Sequence, residues 1–228
     1  MKEFSLASAL VTGSSHRQLH YNCQDAIALH QDDGFIVGIV ADGCGSGRHS
    51  QVGACLGAEF AMEFCKRHFR KSQFDAAFLL QNMIEYLHQL CDLQMPSDRT
   101  AFIEDHFLFT LFGFVSTPQE THLFHAGDGY IVVNSKEWRI DHDNRPRYIG
   151  RHLLGGKATL LTERFPTAEI ERLLIGTDGL RDFPGPLTEL WENEDYFTNP
   201  AALPKQLTDL ASQSVLKDDV GVVLLRAR

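Results

Sequence analysis

The side chains best able to do chemistry in this sequence are aspartates that stand where apolar runs begin or end. Asp25 opens one such run, and Asp42 closes the next, Phe35-Ile36-Val37-Gly38-Ile39-Val40-Ala41. Between them Asp32-Asp33-Gly34 is a hairpin turn signal. An antiparallel hairpin about Asp33 returns positions 25 and 42 to the same sheet end, side by side. Two carboxylates held there repel unless a cation lies between them. Farther on, Ile175-Gly176-Thr177 ends in Asp178-Gly179, and Asp218-Asp219 stand just before the apolar run from Val220. Asp128 lies in Gly127-Asp128-Gly129, between two apolar runs. Each aspartate alone reads most simply as turn chemistry, because Asp-Gly favours turns and a strand-end Asp makes an Asx-turn. Together they form a set of hard oxygen ligands with few neutral donors, which suits Mg²⁺ or Mn²⁺ better than zinc.

The elements that must position these acids can be read from periodicity. Phe4 to Val11 is a first strand; Glu3, Ser5 and Ser8 break the resemblance of Lys2 and this run to a signal peptide. Residues 26–31 and 35–41 form the hairpin. Ser50 is expected to cap a helix over 51–69, with Val52, Cys55, Leu56, Phe60 and Phe64 at helical spacing. A second helix over 73–93 places Phe74, Phe78, Ile84, Leu87 and Cys91 on one side. Strands are expected at 107–116, 121–126, 129–134, 170–177 and Val220–Leu225, with short helices near 187–193 and 201–213. In the first of these, Phe107 and Phe109 give way to Phe112 and Phe114, a parity shift that marks a bulge or burial on both faces. Helices inserted between groups of hairpin-linked strands predict α+β layers rather than a regular βαβ alternation.

The chain has 228 residues, 43% hydrophobic and 22% charged, which suits one domain over 1–228. Its net charge is −9 with no basic patch, which argues against nucleic acid as a partner. No stretch approaches the ~18 apolar residues of a membrane span. Five cysteines without a CxxC pair point to a reducing, cytoplasmic setting, with a monomer as the default.

Five segments, in order, resemble the motifs of the metal-dependent protein phosphatase 2C family. They are Asn22-Cys23-Gln24-Asp25-Ala26, Val40-Ala41-Asp42-Gly43-Cys44-Gly45-Ser46-Gly47, Ala126-Gly127-Asp128-Gly129-Tyr130, Thr177-Asp178-Gly179-Leu180 and Asp218-Asp219-Val220-Gly221-Val222. The resemblance implies a four-layer α-β-β-α sandwich, two antiparallel sheets flanked by helices. It implies hydrolysis of phosphoserine and phosphothreonine in a phosphoprotein substrate, by a water bridging two divalent metals, Mn²⁺ or Mg²⁺. Asp42 would bridge the pair, helped by the Gly43 carbonyl; Asp178 and Asp218 would complete it, and Asp25 would act near it. Asp128 would join Asp178 at a third, weaker metal site.

Several positions depart from the family pattern. Gln24 replaces a Glu and removes one negative charge near the metals. His20 stands where a phosphate-binding Arg is expected, so Arg17 and Arg48 are the nearby substrate-binding candidates beside it. Cys44 occupies a slot where some members carry a general-acid His, which leaves water or His49 to protonate the leaving group. Tyr130 replaces an Arg, and His142 to Leu154 has room for a small flap only. His16 and His20 have i, i+4 spacing but fall in a predicted loop, as a solvated or phosphate-facing pair rather than a zinc site. Cys44 reads as a small residue in a tight turn. Two rival readings stand beside this one. The loop Asp42 to Gly47 resembles the glycine loop of S-adenosylmethionine-dependent methyltransferases, though a helix with Glu59 and Glu63 follows where a second acidic strand end is expected. The altered positions 20, 24 and 44 suit a non-catalytic phosphatase-like binding module.

Overall fold

The computed structural model describes residues 3–70, 73–143 and 145–228. Lys2 of the leader-like start and Asn144 of the expected flap lie outside the described residues. In chain order the elements are β1 (Phe4–Val11), α1 (Ser14–Leu19), β2 (Asp25–Asp32), β3 (Phe35–Asp42), α2 (Ser50–His68), α3 (Ala76–Gln94) and α4 (Arg99–His106). Then follow β4 (Leu111–Ser116), β5 (Glu120–Ala126), β6 (Gly129–Val133), β7 (Lys136–Ile140), β8 (Leu161–Pro166), β9 (Arg172–Gly176), α5 (Asp195–Thr198), α6 (Ala202–Ser212) and β10 (Val220–Ala227). Short 3₁₀ turns occupy Ile149–Leu154, Thr167–Glu169, Asp178–Asp182 and Leu187–Trp191.

Two five-stranded antiparallel sheets result, ordered β1-β10-β9-β6-β7 and β2-β3-β4-β5-β8. Their facing sides bury Val40, Phe112, Phe114, Ile131, Ile175 and Val223 in one apolar layer. The outer side of the second sheet is covered by α2, α3 and α4, and that of the first by α5 and α6. This is the expected four-layer α-β-β-α sandwich. Its antiparallel pairing overturns the methyltransferase reading, because dinucleotide-type glycine loops belong to parallel, doubly wound sheets.

The Phe parity shift has two causes. The strand starts at Leu111, not 107, and it is buried on both faces. Leu111 and Val115 face the helices, while Phe112 and Phe114 face the opposite sheet. Helix α2 buries Phe64 and packs Leu56 and Phe60 against the core as expected, but most of its packed face is made of small residues. Gly53, Ala54, Gly57, Ala58 and Ala61 are buried, whereas Val52 and Cys55 are exposed. The small residues win because they admit Phe109: a Cβ on Gly57 would lie 2.3 Å from that ring. Ser50 is the first helical residue rather than the cap, a position taken by His49. In α3 the buried stripe is Leu79, Leu80, Met83, Leu87 and Cys91, so Phe74 precedes the helix and Phe78 is largely exposed. Elements α1, α4, α5, β7 and β8 have no counterpart among the expected ones; β7 and β8 are short edge strands without a buried residue, which weakens their alternation.

Candidate metal centre

The hairpin register pairs Asp25 with Asp42 across β2 and β3, as the turn position requires. Asp42 is fixed on its other side by Thr110: its N–H donates to Thr110 Oγ1 at 3.2 Å, and its carbonyl accepts from Thr110 N–H at 2.8 Å. Asp25 is 3% exposed and is anchored to the opposite sheet. Thr177 Oγ1 donates to Asp25 Oδ2 at 2.7 Å and accepts from Gly221 N–H at 2.9 Å. This fully buried hydroxyl ties β2 to the ends of β9 and β10 and holds the next residue, Asp178, at the same sheet end.

Asp178 and Asp218 meet at one guanidinium. Arg181 Nη1 lies 3.9 Å from Asp178 Oδ2, and its Nη2 lies 3.9 Å from Asp218 Oδ2. Asp128 stands on the other side of Asp178, in a turn that Gly127 makes with φ +93°, a conformation L side chains avoid. Its Oδ1 accepts from the His142 N–H at 3.1 Å and contacts His142 Nδ1. A cation at Asp128 therefore competes with an imidazole.

The electrostatics of this cluster follow from burial first and crowding second. Burial, opposed by the Thr177 hydrogen bond and reinforced by Asp219 and Asp218, holds the Asp25 carboxyl well above the usual carboxylate range. Burial, then Asp25, Asp178 and Asp218, do the same to Asp42. Asp178 is raised by burial and by Asp218, against the opposing pull of Arg181. Three carboxyls that resist ionisation at one sheet end fit a divalent cation, which removes the repulsion. Among the described residues no three His, Cys, Asp or Glu side chains close into a cage. Mg²⁺ keeps several waters and takes one or two carboxylates, a donor chemistry these aspartates can supply.

Asp219 is a different object from its neighbour. It is 2% exposed, and its Oδ1 accepts from Gly13 N–H at 2.8 Å. Its Oδ2 accepts from Gln24 N–H at 2.6 Å and lies 2.8 Å from His16 Nδ1. One carboxylate, next to Asp218, thus joins the start of α1, the His16 ring and the residue before Asp25. His16 belongs to this knot, not to a solvated pair with His20, which ends α1 in a left-handed conformation. Thr177 and Asp219 are the positioning residues that reading the sequence missed. A signal existed for each, since both adjoin a candidate ligand and carry side chains able to saturate backbone groups.

The three substrate-binding candidates separate. Arg48 and His20 line one groove of about 430 Å³ with Tyr21, Asn22, Gln24 and the Gly45–Gly47 loop. Arg17 instead donates to Ser212 Oγ at 3.0 Å, at the end of α6. Gln24 Nε2 donates to the Gly47 carbonyl at 3.1 Å, so the amide that replaces a Glu braces the loop after Asp42. Cys44 sits in the tight turn closed by Gly47 N–H to its carbonyl, at 2.8 Å. Burial pushes its thiol up, but hydrogen bonds from Ser46, Tyr148 and the loop amides outweigh that and hold it below the ordinary thiol range.

The sequence profile of the family described as Protein phosphatase 2C matches residues 12–218. Serine/threonine-protein phosphatase 3 of Escherichia coli strain K12 is 30% identical over 135 residues, 57% of this chain and 53% of that protein. The match therefore spans about half the length of this curated relative. Among solved structures, a bacterial serine phosphatase variant superposes with a TM-score of 0.66 at 16% identity, covering 100% of this chain and 99% of that one. RsbX, solved in complex with magnesium, superposes with a TM-score of 0.60 at 13% identity, covering 100% and 99%. At such identities the likeness is one of fold. The profile match over nearly the whole chain carries more, and with it the aspartate cluster, the paired hairpin ends and the two facing sheets have one explanation: the chain belongs to the protein phosphatase 2C family.

Proposed function

We propose that this protein is a metal-dependent serine/threonine protein phosphatase. The observation that carries the reading is the convergence of Asp25, Asp42, Asp178 and Asp218 at one end of the two facing sheets, with the carboxyls of Asp25, Asp42 and Asp178 raised first by burial and then by neighbouring carboxylates. In this reading Asp42, with the Gly43 carbonyl, Asp178 and Asp218 hold two divalent cations, Mn²⁺ or Mg²⁺, and Asp25 supports them. Asp128 shares a third, weaker site with Asp178, in competition with His142. When bound, the cations activate water as a nucleophile and neutralise phosphoryl oxygens during in-line displacement.

The chain's own groups do the rest. Thr177 and Asp219 keep the carboxylates from spreading, because Thr177 ties the Asp25 carboxylate to the Gly221 backbone and Asp219 ties together the backbone of Gly13 and Gln24. The phosphorylated segment of the substrate lies along the groove of Arg48 and His20, whose lining carries the basic groups His20, Arg48 and His49 and no carboxylate. That lining, in a chain of net charge −9, favours an anionic ligand. Arg17 joins them only by leaving Ser212. Every group the reading needs comes from one chain, which supports a monomer. The five cysteines are free, and no helix among the described residues is long and apolar enough to cross a membrane; a reducing cytoplasm suits the free thiols.

Hydrolysis of a phosphothreonine peptide with Mn²⁺, Mg²⁺ or EDTA tests the reading. The expected result is turnover with either metal and none with EDTA. Binding of the phosphopeptide without turnover under any metal would establish the non-catalytic binding module instead.

A further inference from the structure

A second, smaller recess opens on the other flank of the aspartates. It has a volume of about 130 Å³ and is lined by Asp128, Tyr130, Arg139, Ile140, Asp141, Asp178 and Arg181. It is too small for a peptide and of a size for one tetrahedral anion or a few waters. Two guanidiniums border it, and they differ. Arg139 is engaged by Asp141, with Nη2 to Oδ2 at 2.8 Å. Arg181 is half-exposed and stands 3.9 Å from each of Asp178 and Asp218, beyond hydrogen-bond length to either. It rides on the same 3₁₀ turn as Asp178, so its position relative to that carboxylate is set by three residues of backbone.

From this geometry we infer that Arg181 is a phosphoryl-binding residue of the active site, supplying from the turn after β9 the guanidinium that is absent at His20. The inference rests on the phosphatase reading above and deepens it. Asp178 and Asp218 are carboxylates that the reading commits to cations, and cations relieve Arg181 of its role as their counter-charge. A planar fork with no close partner then faces whatever anion those cations attract. Guanidinium suits phosphate because two parallel N–H groups match two oxygens. Arg181 contacts the phosphoryl oxygens and leaves the peptide to the Arg48 groove, so it serves small and protein substrates alike.

The rival role for Arg181 is a resting counter-charge only, and the two roles have opposite signatures. Calorimetric titration of orthophosphate into Mn²⁺-saturated protein, and of Mn²⁺ into metal-free protein, is made on wild type, Arg181→Gln and Arg181→Lys. Steady-state kinetics on p-nitrophenyl phosphate and on a phosphothreonine peptide accompany it. The expected result is orthophosphate binding weakened roughly 10- to 100-fold in Arg181→Gln, the scale of a lost charge-assisted contact. The Lys variant, with charge but no fork, falls between. kcat/KM drops by a similar factor for both substrates. Unchanged orthophosphate affinity in Arg181→Gln, with tighter Mn²⁺ binding alone, would overturn the proposal and leave a counter-charge. Wild type that binds no orthophosphate overturns it as well. Failure of the phosphatase reading shows separately, as wild type without turnover under any metal. Circular dichroism of each variant confirms that this half-exposed side chain is not needed for folding.

Discussion

Asp218 and Asp219 are adjacent, chemically identical and opposite in use. Asp219 is buried, and both its oxygens are taken by donors of the protein, from Gly13, His16 and Gln24. Asp218 is about half-exposed: its Oδ1 accepts only the N–H of Asp219, at 3.0 Å, and its Oδ2 faces only the distant guanidinium of Arg181. The same contrast holds between the knot around Asp219 and the cluster of Asp25, Asp42 and Asp178. A carboxylate saturated by protein donors is finished as a structural element, because its ionised form is already stabilised in place. A carboxylate crowded by others of its kind retains its affinity for a cation. Saturation by protein donors, more than burial, separates the two: Asp25 is as buried as Asp219, yet it takes only the Thr177 hydroxyl besides its acidic neighbours.

The comparison can be broken most visibly at Asp42. Asp42→Asn is expected to lower Mn²⁺-dependent kcat by roughly 10³-fold, the scale of several kcal/mol of electrostatic catalysis. Its far-ultraviolet circular dichroism is expected to match wild type. Near-normal turnover in that variant would sink the assignment of the cluster to metal chemistry.

Asp219 is expected to fail in the other way. Asp219→Ala orphans the buried N–H groups of Gly13 and Gln24, at a cost of roughly 2–4 kcal/mol. For a chain of this size that corresponds to a fall in Tm of about 5–15 °C, read by thermal denaturation. Asp218→Asn, by contrast, is expected to leave Tm unchanged or raise it while removing activity. If Asp219→Ala and Asp218→Asn lower Tm alike, the division between knot and cluster is wrong.

The smallest effect sharpens the electrostatic half. A carboxyl raised in the native state keeps a proton there that the unfolded chain releases near pH 4. Its stabilising protonation is fully present below that pH and is lost as pH rises through the raised native value. Metal-free wild type should therefore lose stability with rising pH faster than metal-free Asp42→Asn, by up to about 1.4 kcal/mol per pH unit. His122 and His125, whose pKa values are lowered by burial, push in the opposite direction but equally in both proteins. Urea denaturation from pH 5 to 8 measures the difference in slope. Equal slopes would mean that Asp42 is not under the pressure of its neighbours. Mn²⁺ at saturation should erase the difference by stabilising the native wild type.

What the sequence by itself determined is the local part of this protein. The turn at Asp33-Gly34 and the alternation on either side fix the Asp25–Asp42 register, because hairpin pairing is counted outward from the turn. The apolar runs at 129–134, 170–177 and 220–225 mark strands of the first sheet for a similar reason: they are buried on both sides and need no partner to be recognised. Only the tertiary structure decided which side chains of a given type are saturated. That Thr177 reaches Asp25 across 152 residues of chain, and Asp219 reaches Gly13 across 206, depends on two sheets closing over one core. The buried face of α2 was also decided there, since its small residues face inward only because Phe109 arrives to fill the space they leave. Arg17 and Arg48 read alike as cations near a glycine loop. The fold turned one to Ser212 and left the other in the groove, because a long flexible side chain takes the partner that packing brings within reach.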